Sequence, residues 1–107
     1  MYTVIGGAGE VGYYLARLFY TEGHEIAIIE SEDAIADHAE TLDALVVRGN
    51  AASPKKLIEA GIEEADLYVG VTGYDEVNMI SSSFAKSKGV KTIARINKIE
   101  YIDKPIS

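Results

Sequence analysis

The sequence predicts an α/β fold, a doubly wound parallel sheet with helices on both faces. Three observations carry this. Short, almost wholly apolar stretches alternate with stretches of helical period, as expected for strands buried on both faces. The first connection is Gly7-Ala8-Gly9-Glu10-Val11-Gly12. The next apolar stretch ends in a carboxylate, Glu30, eighteen residues beyond Gly12. A glycine triplet alone is weak evidence. Set between a strand and a helix, with an acid closing the following strand, it is the arrangement of a Rossmann-like, dinucleotide-binding unit.

Tyr2-Thr3-Val4-Ile5 reads as a buried first strand, and Val11 to Glu22 has the apolar period of a helix. His24 to Glu30 is the second strand. Glu32 to Thr41 reads as a short acidic helix, with Ile35, Ala36, Ala39 and Leu42 giving its inner face. Ala44-Leu45-Val46-Val47 is the third strand, ending at Arg48-Gly49-Asn50. Ser53-Pro54 starts a helix strongly, with serine at the N-cap and proline at the first helical position; Gly61 stops it after Ala60. Asp66 to Val71 is the fourth strand. A longer helix runs from Asp75 to Lys88 and stops at Gly89, and Lys91 to Ile96 is the fifth strand.

Right-handed crossovers give these five strands the spatial order 3-2-1-4-5, with residues 1–107 forming a single domain. The sheet is incomplete at its C-terminal edge. The tail, residues 97–107, holds Ile99, Tyr101, Ile102 and Ile106 without a partner element, and Lys104-Pro105 interrupts regular structure. An apolar flank of this kind calls for a cover, either a continuation of the chain or a second copy.

In such a sheet ligands bind beyond the carboxyl ends of the strands, where the strand order reverses. That rule selects the loops Gly7 to Gly12, Glu30-Ser31, Gly49-Asn50-Ala51 and Thr72-Gly73-Tyr74. Gly7 turns the chain sharply off the first strand. Gly9, without a Cβ, lets a pyrophosphate approach the backbone, and Gly12 lets the helix pack on the sheet. Backbone N–H groups at the helix start then receive the phosphates. Glu30 would accept from ribose hydroxyls and repel a 2′-phosphate, which favours NAD over NADP. Thr72 and Gly73 would offer a hydroxyl and close backbone contact, although turn chemistry alone also explains them. Asn50 is equally at home in a turn.

Arg95, in an otherwise apolar strand, needs an anion or an exit to water. A ligand phosphate is one such partner and a carboxylate of the protein is another. Asp75-Glu76 reads as a charge pair favoured by the helix dipole. His24 and His38 are far apart in sequence, and no metal-site spacing accompanies them. Of the seven tyrosines, Tyr13, Tyr14 and Tyr20 on the first helix read as packing residues.

A net charge of −7 without a Lys/Arg stripe argues against nucleic acid and against docking on anionic lipid. Without cysteine there is no disulfide, thiolate metal site or cysteine nucleophile. No basic leader precedes the first strand, and no apolar run approaches the ~18 residues of a membrane span. These features fit a protein of the cytoplasm.

Together these residues resemble the N-terminal nucleotide-binding domain of Trk potassium-uptake regulatory proteins, the RCK (regulator of potassium conductance) domain. The similar segments are Gly7 to Gly12, Gly23-His24, Glu59 to Asp66, Val71-Thr72-Gly73 with Asp75-Glu76-Val77-Asn78, and Ile93-Ala94-Arg95 with Glu100-Tyr101. The resemblance spans essentially the whole chain. It implies a non-enzymatic subunit that binds NAD(H), or ATP/ADP, and dimerises. Such subunits assemble into rings at the inner face of the membrane and gate a potassium-transport subunit there. It also implies phosphates at Gly7 to Val11, ribose at Glu30, adenine near Asn50 and Ala51, and the far part of the ligand at Thr72, Gly73 and Arg95. Many members have Asp in place of Glu30 and of Asn50; the first change keeps the chemistry, the second removes a charge. The tail then reads as the start of a truncated dimerisation segment. Two rival readings are the cofactor half of an NAD-dependent oxidoreductase and an assembly module that has lost its ligand.

Overall fold

A computed structural model describes residues 1–103. Strands β1 (Tyr2–Gly6), β2 (Glu25–Glu30), β3 (Leu45–Arg48), β4 (Leu67–Gly70) and β5 (Lys91–Ala94) form one parallel sheet. Its order is β3-β2-β1-β4-β5, as the alternation predicts. The helices are α1 (Glu10–Thr21), α2 (Asp33–Ala39), α3 (Pro54–Glu59), α4 (Asp75–Ser87) and α5 (Ile99–Asp103).

The period-2 alternation of each strand divides its apolar residues between two cores. On one face Ile5, Ile26, Ile28 and Val69 pack with Ala16 of α1 and Ala39 of α2. On the other, Val4, Ala27, Ile29 and Tyr68 pack with Leu57 of α3 and Ala85 of α4. Complete burial of a side chain such as Ile28 or Leu57 contributes about 1.5–3 kcal/mol each, so the sheet centre is the rigid part of the molecule. The α3 start follows its sequence signal. Ser53 Oγ accepts the Lys56 N–H at 3.4 Å, Pro54 occupies the first turn, and Gly61 adopts φ 86° beyond the end.

Register fixes the floor of the strand-end crevice, because Gly6 of β1 pairs with Gly70 of β4. The fully buried Tyr68 lies beside both. A Cβ on Gly6 would stand 2.1 Å from the Tyr68 hydroxyl, and one on Gly70 would stand 3.3 Å from its ring. Burial pushes the Tyr68 hydroxyl up to about 12, so the ring is a neutral wedge under the ligand-facing loops.

Two expectations are corrected. The fifth strand ends at Ala94, before Arg95 and Ile96. The tail is not irregular throughout: it forms α5 from Ile99 to Asp103, and α4 holds the segment leading into it through polar contacts, while Ile99 stays 68% exposed. The Asp75 carboxylate accepts the Asn97 N–H (3.0 and 3.1 Å) and the Lys98 N–H (2.7 Å), and Glu76 accepts from Lys98 Nζ and the Tyr101 hydroxyl, each at 2.7 Å. Lys104-Pro105 and Ile106 lie outside the described residues. Among the described residues no helix is long and apolar enough to cross a membrane.

Candidate functional site

The loops at the carboxyl ends of the strands enclose a cleft of about 550 Å³. All the predicted site residues line it except Ala8 and Gly12: Gly7, Gly9, Glu10, Val11, Glu30, Ser31, Asn50, Ala51, Thr72, Gly73 and Arg95. Gly49 and Tyr74, from two of the loops selected above, line it with Ile29 and Val71, and Glu32, Ile35 and Val77, which sequence spacing does not single out, complete the wall.

The first connection owes its shape to local sterics. Gly7 has φ +103°, a conformation that L side chains rarely adopt, and its N–H donates to the Ile29 carbonyl at 2.8 Å. A Cβ there would stand 2.9 Å from the Thr72 nitrogen, so a bare Gly7 lets the loops after β1 and β4 touch. A Cβ on Gly12 would fall 1.9 Å from the Gly7 carbonyl oxygen, which brings the start of α1 down onto the turn. These two glycines build the site from beneath. Gly9 differs, because a Cβ there meets nothing within 4 Å. Its open side faces the cleft, and it caps α1 without a side chain, leaving the first-turn N–H groups for an anion.

Glu30 is 8% exposed. Its Oε1 accepts the Ala8 N–H at 2.7 Å and its Oε2 the Glu32 N–H at 3.0 Å. A carboxylate has about four acceptor positions, so both oxygens keep capacity toward the cleft. Glu30 therefore also holds two loops in place, a role its position at a strand end did not reveal. Ala8 in turn is buried, with its N–H directed to Glu30 rather than to the cleft. Asn50 is exposed and its Oδ1 accepts the Ala52 N–H at 2.8 Å, an Asx turn.

The opposite wall is built on Asn78, which sequence analysis placed within a motif but gave no role. This amide is completely buried. Its Oδ1 accepts from the Thr72 N–H at 2.9 Å and the Thr72 hydroxyl at 2.7 Å; its Nδ2 donates to the carbonyls of Thr72 at 3.1 Å and Arg95 at 3.0 Å. Both donors and both lone pairs are matched. The Thr72 hydroxyl, expected to face the ligand, is turned inward to Asn78 and to Tyr74. The signal was available: a polar amide on the inner side of an amphipathic helix needs partners.

Arg95 Nη2 donates to the Thr72 carbonyl at 2.9 Å, and the Arg95 N–H donates to the Gly70 carbonyl at 2.9 Å. Among the described residues its Nε is buried without a partner and the guanidinium makes no ion pair. The carboxylate partner that the sequence left open is thus not found. Arg95 is the single cation among the described residues that line a cleft also carrying Glu10, Glu30 and Glu32. A neutral hydroxyl-rich group at the Glu30 end and an anion at the Gly9 and Arg95 ends match this layout.

A family profile of the TrkA-N domain matches residues 3–105. A "Trk system potassium uptake protein TrkA homolog" of Archaeoglobus fulgidus is 45% identical over 107 residues, covering 99% of this chain and 24% of that protein. The chain thus spans about a quarter of that relative's length. Among solved structures, the AMP-bound C-terminal domain of Shewanella denitrificans Kef superposes with a TM-score of 0.80 at 21% identity, covering 100% of this chain and 68% of that one. The GsuK RCK domain gives 0.78 at 23% identity, over 95% of this chain and 22% of that one. Both likenesses establish the fold.

Proposed function

The chain belongs to the TrkA-N domain family, and from that premise we propose that it is a regulatory domain that binds an adenine nucleotide and gates a membrane potassium-uptake subunit. One observation carries the binding part. The open side of Gly9, the buried carboxylate of Glu30 and the guanidinium of Arg95, which has no ion pair among the described residues, all line one cleft, at the point where the strand order reverses. In this reading Gly9, Glu10 and Val11 receive phosphates through backbone N–H groups, while Gly7, whose N–H is held by the Ile29 carbonyl, shapes the turn beneath them. Glu30 and Ser31 hold a ribose, Asn50 and Ala51 flank adenine, and Thr72, Gly73 and Arg95 meet the far part of the ligand. NAD or NADH fits the spread of these groups best, with ATP and ADP as the alternatives.

Gating needs no chemistry in this domain. A ligand shifts a conformational equilibrium only by its difference in affinity for the two states. The domain would act from the cytoplasmic side, as a homodimer or larger ring, through protein contacts with the transport subunit. The name of the Archaeoglobus relative supports potassium as the ion.

Calorimetric titration with NAD, NADH, ATP, ADP and AMP tests the binding part, with saturable one-site binding of at least one expected. Potassium uptake in cells carrying the full-length protein, wild type against a binding-dead variant, tests the gating part. Unchanged uptake with an intact transport subunit would contradict it.

A further inference from the structure

We infer that Asn78 is a positioning residue that sets the selectivity of the cleft for the far part of the nucleotide, by joining Thr72 and Arg95 into one rigid wall. This rests on the nucleotide-binding reading above. Asparagine is an indifferent helix former, and an amide removed from water must be matched group by group. Asn78 sits in the second turn of α4, fully buried, yet makes none of the bonds that explain polar residues within helices. Nearby Ser81 shows the ordinary solution, donating to the Val77 carbonyl of its own helix. All four side-chain bonds of Asn78 instead leave the helix, three to Thr72 and one to Arg95.

The consequence falls on the guanidinium. The Thr72 carbonyl accepts from Asn78 Nδ2 and from Arg95 Nη2 together, while the Arg95 carbonyl accepts from the same Nδ2 group. Asn78 therefore fixes both the backbone of Arg95 and the acceptor that aims its side chain. Arg95 Nε stays buried and unmatched among the described residues, and the guanidinium edge remains at the cleft wall. Such a cation is aimed in advance, so it discriminates between ligands that reach it and ligands that stop short. NAD extends past the first phosphate; AMP ends there.

The experiment compares NAD and AMP affinities by calorimetry in the wild type, Asn78→Asp and Asn78→Ser, with thermal unfolding of each. Asn78→Asp keeps the shape but sets oxygens against the Thr72 and Arg95 carbonyls and adds a charge beside the guanidinium. NAD affinity is expected to fall at least about tenfold, the scale of one charge-assisted hydrogen bond, while AMP changes less than about threefold. Asn78→Ser adds no charge and no longer reaches Arg95; it should show the same selectivity with a smaller loss, and it serves if the aspartate variant does not fold. A general loosening of the fold would lower both affinities together. Equal losses for NAD and AMP, or none, in folded protein would overturn the role of Asn78 while leaving nucleotide binding intact. A wild type that binds neither ligand would remove the binding reading itself, and this inference with it.

Discussion

Glu30 Oε1 accepts the Ala8 N–H at 2.7 Å, which ties the end of β2 to the turn that follows β1. The same carboxylate accepts the Glu32 N–H through its other oxygen. One side chain thus shapes the first connection and presents charge to the cleft.

Two outcomes at Glu30 follow from this double role. The wild type should bind NAD at least ~10-fold more tightly than NADP, a difference of about 1.4 kcal/mol, because a 2′-phosphate meets a fixed carboxylate. Glu30→Ala should narrow that ratio and also destabilise the fold by about 1–3 kcal/mol, since the buried Ala8 N–H loses its acceptor. Paired binding and urea-unfolding measurements check both. Equal affinities for NAD and NADP in the wild type would show that Glu30 does not face the ribose.

The link between α4 and the segment after β5 gives a second prediction. Asp75 is 4% exposed and accepts both the Asn97 and Lys98 N–H groups. Asp75→Ala should release this segment, raising hydrogen exchange at the amides of Asn97 and Lys98 at least about tenfold. The amides of β1 and β2 at the sheet centre should keep their protection. Unaltered exchange at the two tail amides would mean that something other than Asp75 holds them.

Glu76 supplies a pH dependence. The hydrogen bond from Lys98, and then that from Tyr101, hold its carboxyl at about 2 against an ordinary value of 4.5. A carboxyl depressed in the folded state contributes stability that is fully present above its ordinary value and is lost as pH falls through the depressed one. The contact of α5 with Glu76 should therefore persist at pH 4 and be released progressively toward pH 2. Carboxyl carbon chemical shifts through an acid titration report it directly. A Glu76 midpoint near 4.5 would count against the contact.

The legible part of this molecule is the part set by local pattern. Apolar periods, the Ser53-Pro54 start and the Gly61 stop predict the elements, and the topology follows from handedness. The cleft was legible too, because strand-end loops are found once the strands are known. What could not be read is contact across the fold. Nothing local to Asn78 reveals that its partners stand at Thr72 and Arg95, and Asp75-Glu76 looked like a simple dipole pair until the chain after β5 returned to it. The tail appeared irregular for the same reason, since a five-residue helix has little pattern of its own and depends on its anchors.

The most direct test of nucleotide binding is a titration of NAD into the wild type and into Gly9→Val, each checked by circular dichroism and thermal unfolding. Gly9 adopts φ −64° and ψ −163°, which other residues adopt, and a Cβ there meets no protein atom within 4 Å. The valine should therefore fold normally and fill only the space where phosphate would lie. Saturable NAD binding by the wild type and at least about a tenfold loss in the variant are expected. Equal affinity in a folded Gly9→Val protein would contradict binding at this site, because the ligand would then lie elsewhere.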